Sequence, residues 1–260
     1  MPGGGGAANF PAMNSLILVS GAGFLAGVMN ALAGGGSFVT LPALIGAGMP
    51  SVQANASSTV ALLPGGAVSA WAYRDGLGPV GAASLRSLLI VTLLGGVSGA
   101  LLLLWTPTKL FDFLLPWLLL IATLALTFGR KLGEWLRSRW RIRAEAVLGI
   151  QFGLGVYGGY FGGAVGIMMM AVWGLLDSRD LKSLNAPRTL LVTLANCLAG
   201  LIFIFAGAVR WPETIVMLVG SAAGGYGGAQ IGKRAPTAIV RACTLVLTAC
   251  ITVAFFLKTY

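Results

Sequence analysis

The residues of this 260-residue chain best suited to chemistry are neutral polar groups set beside two glycine clusters. Ser37, Thr40, Asn55, Ser57, Ser58 and Thr59 follow Gly34-Gly35-Gly36, while Asn185, Arg188, Thr189 and Asn196 follow Gly162-Gly163. Glycines that interrupt an apolar run let a new helix begin, and its first N–H groups are free and carry partial positive charge. Such an end binds anions. Glycine has no side chain to hold the anion away, and hydroxyls and amides add donors. Arg188, three residues past Asn185, adds a guanidinium that can grip an oxyanion with two parallel hydrogen bonds. The pattern therefore reads as recognition of a small negative ligand by Gly34, Gly35, Gly36, Ser37, Asn55, Ser58, Thr59, Gly162, Gly163, Asn185, Arg188, Thr189 and Asn196. Each polar residue also has a plainer role. Serine and threonine bond back to their own helix, amides join neighbouring helices, and an arginine at a span's end anchors it at the interface.

Covalent and metal chemistry find little support. The chain has no histidine, which removes Ser-His hydrolysis and His-ligated metals. Cys197, Cys243 and Cys250 lie in apolar runs without a CxxC pair, so they read as small buried hydrophobes. Ser98 sits in Gly-Val-Ser-Gly, but no histidine or acid is at hand to activate it. There is no G-x-x-x-x-G-K-[ST] motif. An enzyme is not expected, and no cofactor is implied. Glu145 falls near a span end, and Asp112 and Glu213 fall in external loops, so no carboxylate relay is visible inside a span. Either a proton or sodium would serve as coupling ion.

The elements that must carry these residues follow from composition. Charged residues make up 9% of the chain and hydrophobic ones 57%. Soluble domains carry about 25% charged residues, so an ordinary water-facing surface cannot be built. The net charge of +10 would suit nucleic acid, but no charge precedes Arg74, and later bases cluster between long apolar runs. The lipid bilayer is the expected partner, and nucleic acid is not. A helix needs roughly 20 apolar residues to cross. The uncharged runs 87–108, 113–129, 189–209, 214–232 and 242–257 fit one crossing each. Run 146–176 is too long for one and too short for two; it reads as a span to about Phe161, a glycine break, and a short helix near 164–176. Run 1–73 reads as a flexible Gly-rich start (1–13) without a cleaved signal, a span from about Ser15 to Ala33, the break, a short segment Ser37–Gly46, and a span over about Ala56–Tyr73. The fold class is an all-α polytopic membrane protein with about eight full spans and two half-helices.

The halves resemble one another. Gly34-Gly35 matches Gly162-Gly163, Asn55 matches Asn185, Thr59 matches Thr189, and Gly95-Gly96…Gly99-Ala100 matches Gly224-Gly225…Gly228-Ala229. Residues 1–129 form a first repeat, 130–143 a basic cytoplasmic loop, and 144–260 a second repeat. Placing that loop inside assigns fourteen of the 17 bases to the cytoplasmic side and leaves Lys109, Arg210 and Lys258 outside. Both termini then lie outside, and the repeats are inverted relative to each other. Inverted repeats with broken helices are an architecture of secondary transporters. A passive channel would share these spans. Tyr157, Tyr160 and Tyr226 are candidates to line the path, and Trp105, Trp117, Trp135, Trp140 and Trp211 fit an aromatic belt.

These residues resemble a known family. Phe24-Leu-Ala-Gly27 with Gly34-Gly-Gly-Ser-Phe-Val-Thr-Leu-Pro42 looks like the first signature of the TauE/SafE (TSUP) family. Gly158-Gly-Tyr-Phe-Gly162-Gly-Ala-Val-Gly166 resembles its second glycine signature. Leu184-Asn-Ala-Pro-Arg188-Thr is similar to its Asn-Ala-x-Lys/Arg element, and Gly224–Gly232 to its late glycine span. Met170 stands where a strict repeat would place a counterpart of Pro42, so the two short helices need not share a shape. The resemblance implies a multi-pass permease of the bacterial cytoplasmic (inner) membrane moving small sulfur-containing anions such as sulfite, sulfonates or sulfoacetate.

Overall fold

The computed structural model describes residues 13–80, 83–139, 144–162, 165–176 and 183–260. They form eleven helices: α1 (Met13–Leu32), α2 (Ser37–Gly46), α3 (Ser51–Ala61), α4 (Leu63–Tyr73), α5 (Leu85–Trp105), α6 (Thr108–Arg139), α7 (Ala144–Phe161), α8 (Val165–Leu176), α9 (Asn185–Phe205), α10 (Trp211–Arg234) and α11 (Thr237–Thr259). Arg74–Gly76 is a 3-10 turn, and one isolated bridge joins Val80 to Ala83. No strand occurs among the described residues. Leu85–Trp105, Thr108–Phe128, Asn185–Phe205 and Ala238–Thr259 are each long and apolar enough to cross a membrane, and Leu16–Leu32 and Ser37–Gly46 are shorter apolar helices. Large apolar side chains such as Leu94, Trp105, Val246 and Val253 face outward, as a bilayer requires. The chain is thus an all-α membrane protein.

Both glycine clusters break the chain. α1 ends at Gly34, whose φ is 83° and whose N–H turns back to Met29 O at 3.2 Å. α7 ends at Gly162, with φ 81° and its N–H on Gly158 O at 2.6 Å. A side chain at either position would meet the steric penalty of the left-handed region. Each break leads into a short helix, α2 of 10 residues and α8 of 12.

Two expected elements take a different form. The span expected over Ala56–Tyr73 begins at Ser51 and is two helices, divided at Leu62. Pro64 explains the division: it has no N–H to give Val60 O, so the α3 ladder cannot continue through it. The basic segment expected as a loop is helical as far as Arg139. With 32 residues, α6 measures about 48 Å, well beyond a hydrocarbon core of about 30 Å.

The bundle is knitted by two glycine-lined crossings. α1 packs on α10, and α5 packs on α7. In the first crossing, Gly23 and Gly27 face the backbone of Met217 and Ser221, while Gly220, Gly224 and Gly228 face Ser20, Phe24 and Val28. In the second, Gly95 and Gly99 face Phe152 and Val156, and Gly155 and Gly159 face Thr92 and Gly96. All four helices use a small-x-x-x-small spacing that lets backbones touch. A third helix joins each pair, with Gly225 against Gly65 of α4 and Gly96 against Ala195 of α9. Gln151, which the sequence did not single out, ties α5, α7 and α8 together. Its amide donates to Thr92 Oγ1 at 2.7 Å and accepts from Trp173 Nε1 at 2.9 Å.

Candidate functional site

The two breaks meet. The position a Cβ would take on Gly166, at the start of α8, lies 2.7 Å from Gly34 Cα. The same position on Gly162 lies 2.7 Å from Thr59 Oγ1, 3.7 Å from Asn55 Oδ1 and 3.8 Å from Ser37 Oγ. Thus the polar face of α3 lies against the second break, where the two breaks meet. Ser51, Asn55, Ser58 and Thr59 recur at helical spacing, and all four are buried.

The first-half residues form one cluster. Ser58 Oγ donates to Ser37 Oγ at 3.4 Å and pairs with Thr40 Oγ1 at 2.5 Å. Thr59 Oγ1 bonds back to Asn55 O at 3.0 Å. Asn55 Nδ2 donates to Tyr160 O at 2.9 Å, the carbonyl just ahead of the α7 break. That bond fixes the amide's orientation and leaves Asn55 Oδ1 buried without a partner. Gly36 is the N-cap of α2 and is buried, as is Gly35.

On the second half, Arg188 is only 1% exposed. It is not a snorkelling anchor. Its Nη2 donates to Ala31 O at 2.9 Å and to Thr189 Oγ1 at 3.3 Å, and its Nη1 reaches Leu32 O at 3.5 Å. The guanidinium therefore sits on the last carbonyls of α1, a favourable place for a cation. No ion pair to Arg188 occurs among the described residues. Asn185, one turn earlier on the same face, has an unpartnered Oδ1 like its counterpart Asn55. Thr189 is 5% exposed. Asn196 is buried too, but it stands about 12 Å beyond Arg188 along α9 and makes no hydrogen bond to this cluster. Gly163 lies outside the described residues.

Three other expectations resolve. Tyr160 is buried against Phe111, with ring centroids 5.7 Å apart, and Tyr157 donates to Leu118 O at 2.8 Å. Tyr226 faces outward and lines nothing. Glu213 is not in a loop. It occupies the first turn of α10 and is 0% exposed. A local signal existed: Trp211-Pro212-Glu213 carries proline and an acid where a helix first turn favours them.

A cavity of about 420 Å³ lies where α2 turns into α3, lined by Met49, Pro50, Ser51, Asp112 and Lys258 among others. It groups the starts of α3 and α6 with the end of α11 at one end of the bundle. The opposite end holds Arg188 near the start of α9, with Gly76 against Ala186 and the Tyr73 hydroxyl against Gly232 of α10.

Similarity to known proteins agrees with this architecture. The family model described as "Sulfite exporter TauE/SafE" matches residues 19–255. The "Probable membrane transporter protein YfcA" of Escherichia coli K12 is 32% identical over 216 residues, covering 81% of this chain and 76% of that protein. A "Probable membrane transporter protein" of Haemophilus influenzae is 28% identical over 228 residues, covering 87% and 88%. One of Sinorhizobium, named ORF9, is 29% identical over 215 residues, covering 82% and 80%. No solved structure matches. With nearly the whole chain inside the family model, the chain belongs to the TauE/SafE family.

Proposed function

We propose that the chain is a secondary transporter of a small anion, a sulfur oxyanion or organosulfonate such as sulfite or sulfoacetate, in a bacterial inner membrane. It works by alternating access at the junction of the two broken hairpins. The observation that carries this reading is a buried guanidinium with no acidic partner among the described residues, held beside one break, while hydroxyls from the other half converge on the second. A buried cation that helix-end carbonyls compensate only in part is costly in a protein built for stability alone. A negative guest supplies the missing charge.

Inverted repeats give the alternation its symmetry. Partner exchange supports them: α1 meets α10 as α7 meets α5, and α4 meets α10 as α9 meets α5. Direction supports them as well. α1 ends beside Arg188, at the end where α9 starts, whereas α7 ends with Tyr160 on Phe111, at the end where α6 starts. With the basic segment cytoplasmic, both termini are external. Tags at each terminus should be labelled by an impermeant reagent in intact spheroplasts, and a protected C-terminus would overturn the inverted arrangement.

The substrate is tested on the purified protein. Sulfite, thiosulfate or sulfoacetate at 100 times its Kd should stabilise the fold by about 2.7 kcal/mol, while chloride should not. Proteoliposomes should then accumulate the stabilising anion against its gradient. Flux that only runs downhill under every imposed ion gradient would make the protein a channel.

A further inference from the structure

We propose that Glu213 is the proton-carrying group of the transporter and that Arg210 is its partner, so that an anion crosses together with a proton. The inference rests on the transport reading and adds its coupling ion.

Glu213 is the described carboxylate most completely cut off from water. Its side chain is 1% exposed, and Oε1 lies 3.1 Å from Arg210 Nη2. Oε2 has no partner among the described residues. An acid in a helix first turn ordinarily faces water and complements the dipole. Here the helix start is folded inward: Arg210 N–H donates to Ser57 Oγ at 2.9 Å, and Thr214 Oγ1 donates to Arg210 O at 2.6 Å. Ser57 precedes Ser58 and Thr59, whose hydroxyls meet Ser37 and the Gly162 break. The Arg210–Glu213 pair is thereby fastened to the helix that lines the proposed site. It lies toward the end of α9 opposite Arg188, so each arginine attends one mouth.

The surroundings leave Glu213 few rivals. The helices packed on α10 are α1, α3 and α4. α1 and α3 carry no titratable side chain, and α4 carries only Tyr73. Tyr73 touches Gly232, about 28 Å along α10 from Glu213, and Lys233 and Arg234 lie at that same far end. Arg210, 36% exposed, is the charge at hand.

The exchange balances. From the outer side, water delivers a proton to Glu213 Oε2, forming an O–H bond and a neutral acid. The guanidinium of Arg210 loses its counter-charge and draws the incoming monoanion in toward the hairpin junction. After the site turns inward, the O–H bond breaks, the proton leaves to the cytoplasm with the anion, and Glu213 pairs with Arg210 again. One proton and one monoanion cross, and no net charge moves.

The test uses isethionate, a sulfonate that stays a monoanion from mildly acidic to mildly alkaline pH. Proteoliposomes are clamped at zero potential with potassium and valinomycin, with no sodium present. One pH unit of gradient, with the outside more acidic, should concentrate labelled isethionate inside about tenfold, the limit for one proton per anion. Glu213→Gln should bring that ratio to about one, its downhill flux no longer responding to the gradient. In parallel, acidifying purified wild-type protein should raise an infrared carbonyl band at the high-frequency end of the carboxylic-acid range, and Glu213→Gln should lack it. Gradient-driven accumulation by Glu213→Gln would overturn the proposal. So would wild-type accumulation that follows sodium instead of protons, or the same infrared band in both proteins. Exchange of isethionate without any gradient tests the transport reading separately. If wild type exchanges neither isethionate nor sulfoacetate nor thiosulfate, that reading fails, and the infrared band alone decides for Glu213.

Discussion

Arg188→Ala should cut anion uptake by about a hundredfold while the protein still inserts, a loss of roughly 2.7 kcal/mol in transition-state or binding free energy. A charge-assisted hydrogen bond contributes about 1.5–3 kcal/mol, so the figure corresponds to losing one or two of them to the anion. The substitution also strips the Ala31 and Leu32 carbonyls of their donors, which costs about 1–3 kcal/mol of stability if water does not replace them. The two effects separate in Arg188→Lys. An ammonium keeps the charge but cannot hold two carbonyls and an oxyanion through one planar fork. Arg188→Lys should recover much of the thermal stability and leave uptake at least about tenfold down. Uptake by either variant at the wild-type rate, with wild-type insertion, would remove Arg188 from the site and leave it as the cap of α1 alone.

The pseudo-symmetry explains why one half carries this charge and the other does not. Asn55 aligns with Asn185 and Thr59 with Thr189, so Ser58 aligns with Arg188. Ser58 reaches the start of α2, where the positive end of the helix dipole already favours an anion, and a hydroxyl suffices there. Arg188 reaches the end of α1, where carbonyls repel an anion, and a cation offsets them. The same alignment leaves Asn55 Oδ1 and Asn185 Oδ1 both without donors. Both are acceptors, so water or a donor on a moved helix can pair with them, while an oxyanion has no hydrogen to give.

Much of this was legible in the sequence because the signals are local. A glycine cluster inside an apolar run marks a break wherever the flanks are long enough, and α2 and α8 fall within a residue of the segments expected. Asn55, Ser58, Thr59, Asn185, Arg188 and Thr189 stand out because polar groups are rare in such runs. What escaped depends on three dimensions. A window of hydropathy cannot see that Pro64 splits one span into α3 and α4, because both pieces are apolar. Arg188 is open to two readings in the sequence, an anion-gripping guanidinium and an interfacial anchor, and only the fold shows that it turns inward onto α1. Glu213 looks external because its distance from the loop is short along the chain. Only the folding of the α10 start against Ser57 closes it off. The Gly23–Gly27 and Gly155–Gly159 spacings are visible as motifs, but which helices they join follows from the fold alone.

Gly162→Ala should cost about 2–3 kcal/mol of stability and most of the transport. The left-handed φ of 81° accounts for about 1–2 kcal/mol of that. The rest comes from crowding, since the new methyl would stand 2.7 Å from Thr59 Oγ1, closer than side chains tolerate. Thr59 cannot swing aside freely, because its hydroxyl bonds back to Asn55 O and its helix is held by Asn55 Nδ2 on Tyr160 O. A double-mutant cycle isolates the crowding. Thr59→Ala in the Gly162→Ala background should restore about 1 kcal/mol relative to its effect in wild type, and the strain of the backbone should remain. Gly46→Ala is the matched control, a helical glycine with open space at its Cβ position, where the change should be neutral or slightly stabilising. The cycle reads the contact between the halves directly. If Gly162→Ala and Thr59→Ala prove additive, the second break does not rest on α3, and the junction proposed to hold the anion is not assembled as described.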